Sequence, residues 1–279
     1  MPVDLPEDDV RAAVEALLGH PVDRLTWRAR PIDPELRLHS VTGAVLRVAA
    51  DADGERLTLV VKQTRRGPDA DPGALWVSGA DPGHRGYWKR EWLAYASGLL
   101  GSLPGGLRAP RLLLATEPAP DEAWLWLEDV DGLPGTAFAD VHYAAAARDL
   151  GTMQGAYAAG RAPLPDAPWL SRGWLAAWID TTERWWPLVE DDGAWADDRL
   201  AALRPLRARG LAVWRERQTL LRLLDAAAPT LTHHDFWPTN LFAGADGRTV
   251  ALDWSVCGLG VVTGDLEQLT LDPVWMQVR

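Results

Sequence analysis

The chain has 279 residues, 47% hydrophobic and 24% charged, which is long enough for two packed lobes and too rich in core-forming residues for a disordered segment. Its net charge of −11 argues against nucleic acid as a partner, and a single cysteine, Cys257, leaves no intramolecular disulfide. No apolar run reaches the roughly 18 residues of a membrane span, and the opening MPVDLPEDDV lacks the basic start and apolar core of a secretory signal, so no membrane is expected and a cytoplasmic protein is.

Residues 7–18 carry apolar positions at helical spacing with acids in the first turn, and predict a helix. Residues 36–49 and 56–64 alternate or run apolar around Asp53-Gly54, a hairpin signal. A loop rich in Gly, Pro and Asp covers 67–86, helical periodicity returns over 87–100, and strand patterns occupy 111–116 and 123–130. Beyond Asp131-Gly132-Leu133-Pro134 the character changes. Helices are predicted over 139–159, 172–186 and 198–227, the last either one long helix or a broken pair. Two short strand signals follow near 230–243 and 248–254. The expected organisation is α+β and bilobal, with a β-rich lobe over 1–130 and a larger, mostly helical lobe over 131–279.

The densest chemical signal is Leu231-Thr232-His233-His234-Asp235-Phe236-Trp237-Pro238-Thr239-Asn240, of the form H-x-D-x-x-x-x-N, followed by a strand-like Thr249-Val250-Ala251-Leu252 that runs into Asp253-Trp254. A carboxylate such as Asp235 can orient a hydroxyl and accept its proton, while Asn240 and Asp253 offer oxygen ligands suited to a hard cation such as Mg²⁺. Zinc ligation by His233-His234-Asp235 is a weaker reading, because adjacent histidines project apart and no H-x-x-x-H or C-x-x-C partner exists.

These motifs resemble the aminoglycoside phosphotransferase and choline kinase-like family, of protein-kinase-like fold, in which a loop of this form precedes a strand ending in Asp-Trp. Gly264-Asp265-Leu266 is similar to a downstream position of that family, where the Asp buttresses the second lobe. The resemblance implies that Lys62, in Leu59-Val60-Val61-Lys62, meets the nucleotide phosphates and that Glu91, in an R-E-x-x-x-Y pattern ending at Tyr95, pairs with it. Lys89, the only other lysine, reads as surface beside Arg90, and His233 as a brace of the loop. A phosphate-covering turn is expected at 40–44 with Gly43 letting the backbone approach, and a hinge at 126–130 whose backbone, at Glu128 and Val130, meets the adenine edge.

The implied activity is transfer of the γ-phosphoryl of ATP (GTP is the other nucleotide considered) to a hydroxyl of a small molecule such as an amino sugar or aminoglycoside, with Mg²⁺ and in a monomer or homodimer. The acids at Asp180, Glu183, Glu190, Asp191, Asp192, Asp197 and Asp198 read either as solvated surface or as a rim attracting a cationic acceptor, with Trp185 and Trp186 as cation–π faces. Relatives usually continue for several helices past the metal motif, whereas Arg279 lies 14 residues after Asp265. A short member, a pocket completed by a partner subunit and a truncated form are the three readings of that. The competing class is a non-catalytic, kinase-like nucleotide-binding module, which the intact set of Lys62, Glu91, Asp235, Asn240 and Asp253 disfavours.

Overall fold

The computed structural model describes residues 5–32, 42–67, 78–201 and 203–271. Helix α1 (Glu7–Leu18) places Glu7, Asp8 and Asp9 against the positive end of its dipole, and Gly19, at φ 83°, ends it in the left-handed region. Its buried stripe of Val10, Ala13 and Val14 covers one face of a sheet.

Three antiparallel strands begin that sheet: β1 (Leu25–Pro31), β2 (Thr42–Ala52) and β3 (Glu55–Arg65). The β2–β3 hairpin turns at the expected dipeptide, with Asp53 at φ 55° and Gly54 at φ 95°, the two left-handed residues that a type I′ turn requires. The Asp53 carboxylate also accepts the Asp23 and Arg24 N–H groups at 3.0 and 2.9 Å, which ties the entry of β1 to the hairpin. Strand β1 has no counterpart in the predicted elements.

Next come α2 (Arg90–Ala96), β4 (Leu107–Arg108), β5 (Leu112–Ala119) and β6 (Glu122–Glu128). Helix α2 is half the length that periodicity over 87–100 suggests, because Gly98 at φ 80° turns the chain into a 3-10 segment, Leu99–Ser102. The finished sheet has the order β1-β2-β3-β6-β5. Alternation along β6 splits its side chains between two cores. Trp124 and Trp126 join Leu46, Val48, Leu59 and Val61 beneath α1, while Leu125 and Leu127 join Tyr95, Leu150 and Trp254 on the other side. Lys62 is the cross-strand partner of Leu125 and follows Val61, so the same period of two directs it away from α1 and toward the second core.

The rest of the chain is mostly helical: β7 (Gly132–Pro134), α3 (Asp140–Ala158), β8 (Ser171–Arg172), α4 (Trp174–Thr182), α5 (Trp186–Glu190), α6 (Arg207–Arg215), α7 (Arg217–Asp225), β9 (Thr230–Thr232), β10 (Leu241–Gly244), β11 (Thr249–Ala251) and β12 (Gly258–Gly260). Two small sheets support the loops between them, of order β4-β11-β10-β7 and β8-β12-β9. Residues 132–134, at the expected boundary between the lobes, are thus a strand. A Cβ on Gly132 would come within 2.4 Å of the Ala243 carbonyl oxygen, and one on Gly135 within 1.9 Å of that of Pro238. These glycines admit close backbone packing. The helix predicted over 172–186 breaks after Thr182 into a 3-10 turn and α5, and the 198–227 segment resolves into 3-10 turns followed by α6 and α7.

Candidate active site

Lys62, Glu91 and Asp253 come from three separate stretches of sequence and meet at one point. The Lys62 ammonium lies 2.6 Å from Glu91 Oε2 and 3.0 Å from Asp253 Oδ1. Burial by itself would lower the Lys62 pKa, but the Asp253 and Glu91 carboxylates outweigh it and raise it above the ordinary lysine value. Asp253 shows the same balance from the other side: burial favours its neutral form, and the ammonium and the Ser255 hydroxyl reverse this and hold it well below the usual carboxylate range. Burial raises Glu91, with Lys62 opposing. Glu91 Oε1 also accepts the Trp254 N–H at 3.2 Å, so α2 fixes the backbone beside Asp253 as well as the lysine. Asp253 itself sits at φ 57°, a left-handed conformation that is uncommon outside glycine.

Asp235 and Asn240 stand on the loop between β9 and β10. The Asn240 amide NH₂ donates to Asp235 Oδ2 at 2.8 Å and to the Asp235 carbonyl at 2.9 Å. Burial and the nearby charge of Asp253 push the Asp235 carboxyl up to about 7, with the Asn240 hydrogen bond opposing. The loop is held from beneath by Asp265, whose two oxygens accept the His233 and His234 N–H groups and the Gln154 amide, all between 2.7 and 2.8 Å. Burial raises Asp265 to about 6 despite those hydrogen bonds. His233 takes its expected bracing place. Its Nδ1 accepts the Asp235 N–H at 3.2 Å and its Nε2–H donates to the Leu252 carbonyl at 2.8 Å, a single neutral tautomer, and burial lowers its pKa to about 4. Gln268 adds a second tie, accepting from Phe236 N–H at 2.5 Å and donating to the His234 carbonyl at 2.8 Å.

The nucleotide side is placed less completely. Residues 40 and 41 of the expected phosphate turn lie outside the described residues, and Gly43 is in β2, at a register shift between Thr42 and Ala44 and two residues before Val45, the partner of Lys62. A Cβ there would make only ordinary contacts, 3.6 Å to Gln63 and Arg65. At the expected hinge the Glu128 N–H donates to the Arg111 carbonyl at 3.0 Å, and its carboxylate pairs with Arg108. Neither group is left for a base. Val130 follows two residues after the end of β6.

Beside Asp235 opens a cavity of about 870 Å³, walled by α4, α7 and the turn around β12. Sequence reading missed its aromatic wall, Trp174 and Trp178, although their i, i+4 spacing puts both on one helix face. The acidic run expected to rim an acceptor site is elsewhere. Arg217 binds Glu183 at 2.6 Å and Arg207 binds Asp192 at 2.5 Å, and none of those acids lines the cavity. Trp185 and Trp186 are also outside it, the first under Arg184 and the second stacked on Trp214 at 3.7 Å. The acid-rich segment attracts arginines of its own α6 and α7.

Arg90 is the other residue whose part was not foreseen. It is fully buried, with no carboxylate partner among the described residues. Its guanidinium donates to the carbonyls of Arg85, His84 and Trp169 at 2.7 Å and of Ser255 at 3.2 Å. Lys89 pairs with Glu117 at the surface, as expected.

A β-sheet bearing a buried lysine–glutamate pair, set against a helical part with an H-x-D-x-x-x-x-N loop and an aspartate after a strand, defines a protein-kinase-like α+β fold. Residues 45–269 match the model of the phosphotransferase enzyme family (APH), and the chain belongs to that family. Among solved structures it is similar to a thermostable mutant of aminoglycoside phosphotransferase APH(4)-Ia in ternary complex with ADP and hygromycin B, at 15% identity, TM-score 0.49, covering 96% of this chain and 78% of that one. Choline kinase LicA from Streptococcus pneumoniae gives 16% identity and TM-score 0.48 over 96% and 75%. Macrolide 2'-phosphotransferase MphH from Brachybacterium faecium gives 19% and 0.41 over 97% and 81%. No curated protein sequence matches the chain. No described helix is long and apolar enough to cross a membrane.

Proposed function

We propose that the chain is a kinase that moves the γ-phosphoryl of ATP to a hydroxyl of a small molecule held in the cavity beside Asp235. One observation carries this reading: Lys62 ion-paired with both Glu91 and Asp253, in a molecule whose cavity is lined in part by Asp235. A buried ammonium held by two acids is preorganised for phosphate oxygens, and none of its orientation has to be established during the reaction.

The residues fit a divalent cation. The Asn240 NH₂ serves two Asp235 oxygens, so its carbonyl oxygen is turned elsewhere, and Asp253 supplies an anionic oxygen close by. Asn240 and Asp253 would hold Mg²⁺, which neutralises charge on the phosphates when bound.

Asp235, as the carboxylate, takes the proton of the acceptor hydroxyl. The hydroxyl oxygen bonds to the γ-phosphorus, the bond from that phosphorus to the bridging oxygen breaks, and ADP carries the electron pair away. Lys62 holds the nucleotide phosphates in place for this, and the backbone around Glu128 and Val130 receives the base.

Release of ADP with and without acceptor, compared between the native chain and Asp235→Ala, tests the reading. Acceptor-stimulated release that the substitution abolishes supports it. Mg-ATP binding with no turnover of any acceptor would instead make the chain a nucleotide-binding module.

A further inference from the structure

The cavity beside Asp235 has walls of a definite chemistry, and resting on the kinase reading above, we infer that the acceptor is a large, mainly hydrophobic, ring-bearing alcohol and not a polycationic sugar. Trp174, Trp178, Leu221, Leu224, Leu259 and Val261 supply its sides. His234, adjacent to Asp235, stacks on Trp174 at 5.6 Å and 24°, and Trp174 on Trp178 at 6.3 Å and 15°. Near-parallel rings therefore run from the catalytic loop along the wall, and a flat ligand face placed against them extends the stack. His234 owes its place in this row to its left-handed backbone, φ 64°, and to its Nε2 contact with Thr232 Oγ1 at 2.8 Å. Burial holds it neutral, so it presents a ring face without charge.

Charged groups are a minority of the lining. Asp166 and Arg172 pair with each other at 2.7 Å. Asp225, Asp235 and Glu267 also line the cavity, so four carboxylates and one guanidinium stand among twenty-four lining residues. A ligand with many ammonium groups would lose hydration against the indole and leucine surfaces that make up most of the wall, whereas an apolar ring system gains about 25 cal/mol for each Å² it buries. The volume of about 870 Å³ suits a large ring system, being near the upper end of small-molecule sites.

The test measures binding and turnover with the full chain and Mg-nucleotide. Calorimetry in the presence of Mg-AMP-PNP, and ADP release with Mg-ATP, compare a macrolide bearing one amine with hygromycin B and with choline. The expected kcat/KM is at least about tenfold higher for the macrolide, and Trp178→Ala and Leu224→Gln lower that value about tenfold or more with KM for ATP unchanged. Trp178→Phe restores most of the loss, which a merely unfolded variant would not do. Hygromycin B or choline used as well as or better than the macrolide overturns this inference and leaves the kinase reading standing; so does a macrolide that neither binds nor reacts. ADP release that is insensitive to Asp235→Ala removes the kinase reading itself.

Discussion

Asp235 carries two demands that pull against each other. As the base of the proposed transfer it must be ionised near neutral pH, yet burial and Asp253 push this carboxyl up to about 7 from its ordinary 3.8. The fold therefore holds its proton more tightly than the unfolded chain does, and folding stability falls as pH rises from about 4 to about 7. Two outcomes follow. The kcat/KM profile should rise through about pH 7 to a plateau, and a limb centred below pH 5 would show that another group acts as base. Asp235→Asn should lower kcat by about 10²–10⁴ and yet raise Tm at pH 8 by about 2–4 °C, a gain that vanishes below pH 4, as calorimetry over that range will show. Asp265 is the opposite case. It accepts from His233, His234 and Gln154, and an amide has only one acceptor oxygen. Asp265→Asn should cost about 2–4 kcal/mol in urea denaturation and lower kcat along with it, because the loop carrying Asp235 loses its anchor.

At the scale of elements, the site depends on short pieces held by long-range hydrogen bonds. Helix α2 has two turns, too few to be stable alone, and Arg90 fixes it to the turn before it, to the Trp169 carbonyl and to the chain after Asp253. A lysine has three donors and no planar fork, so Arg90→Lys should cost about 2–4 kcal/mol. It should also raise KM for ATP, since Glu91 is the next residue; an unchanged denaturation midpoint would refute this account. The sequence places Arg90 in the R-E-x-x-x-Y pattern but does not show what it binds. Only the path of the loop over 79–87 and the turn at Trp169 brings carbonyls to Arg90, and nothing local in the sequence encodes that approach. Strand β1 was missed for a similar reason. It alternates Leu25, Trp27 and Ala29 with polar residues, but it is an edge strand, half-exposed, and ends at Pro31.

For the molecule as a whole, the lysine–carboxylate cluster ties the strand-rich part to the helical part by charge, because β3, α2 and the chain after β11 share it. Lys62→Ala leaves Glu91 and Asp253 facing each other without their cation and should destabilise the free protein by about 3–5 kcal/mol. Mg-ATP at about 100 times its Kd should stabilise the native chain by about 2.7 kcal/mol, seen as a rise in Tm of about 5–10 °C. Asp253→Asn should remove that rise. A full ligand-induced shift in that variant would mean that nucleotide and metal bind elsewhere.

Much of this was legible in the sequence wherever spacing and residue type act over a few positions. The Asp53-Gly54 hairpin, the acids at the start of α1, the loop from His233 to Asn240 and the strand leading into Asp253 each follow from local backbone preference or from the chemistry that a carboxylate and an amide offer. What only the tertiary structure decided is which groups meet across large separations. It pairs Glu183, Glu190 and Asp192 of the acidic run with arginines of α6 and α7, closes Arg90 within carbonyls, and sets Trp174 and Trp178 in the cavity beside Asp235. A side chain's partner and its burial depend on the packing of distant segments, and the periodicity of any one segment carries no record of what is packed against it.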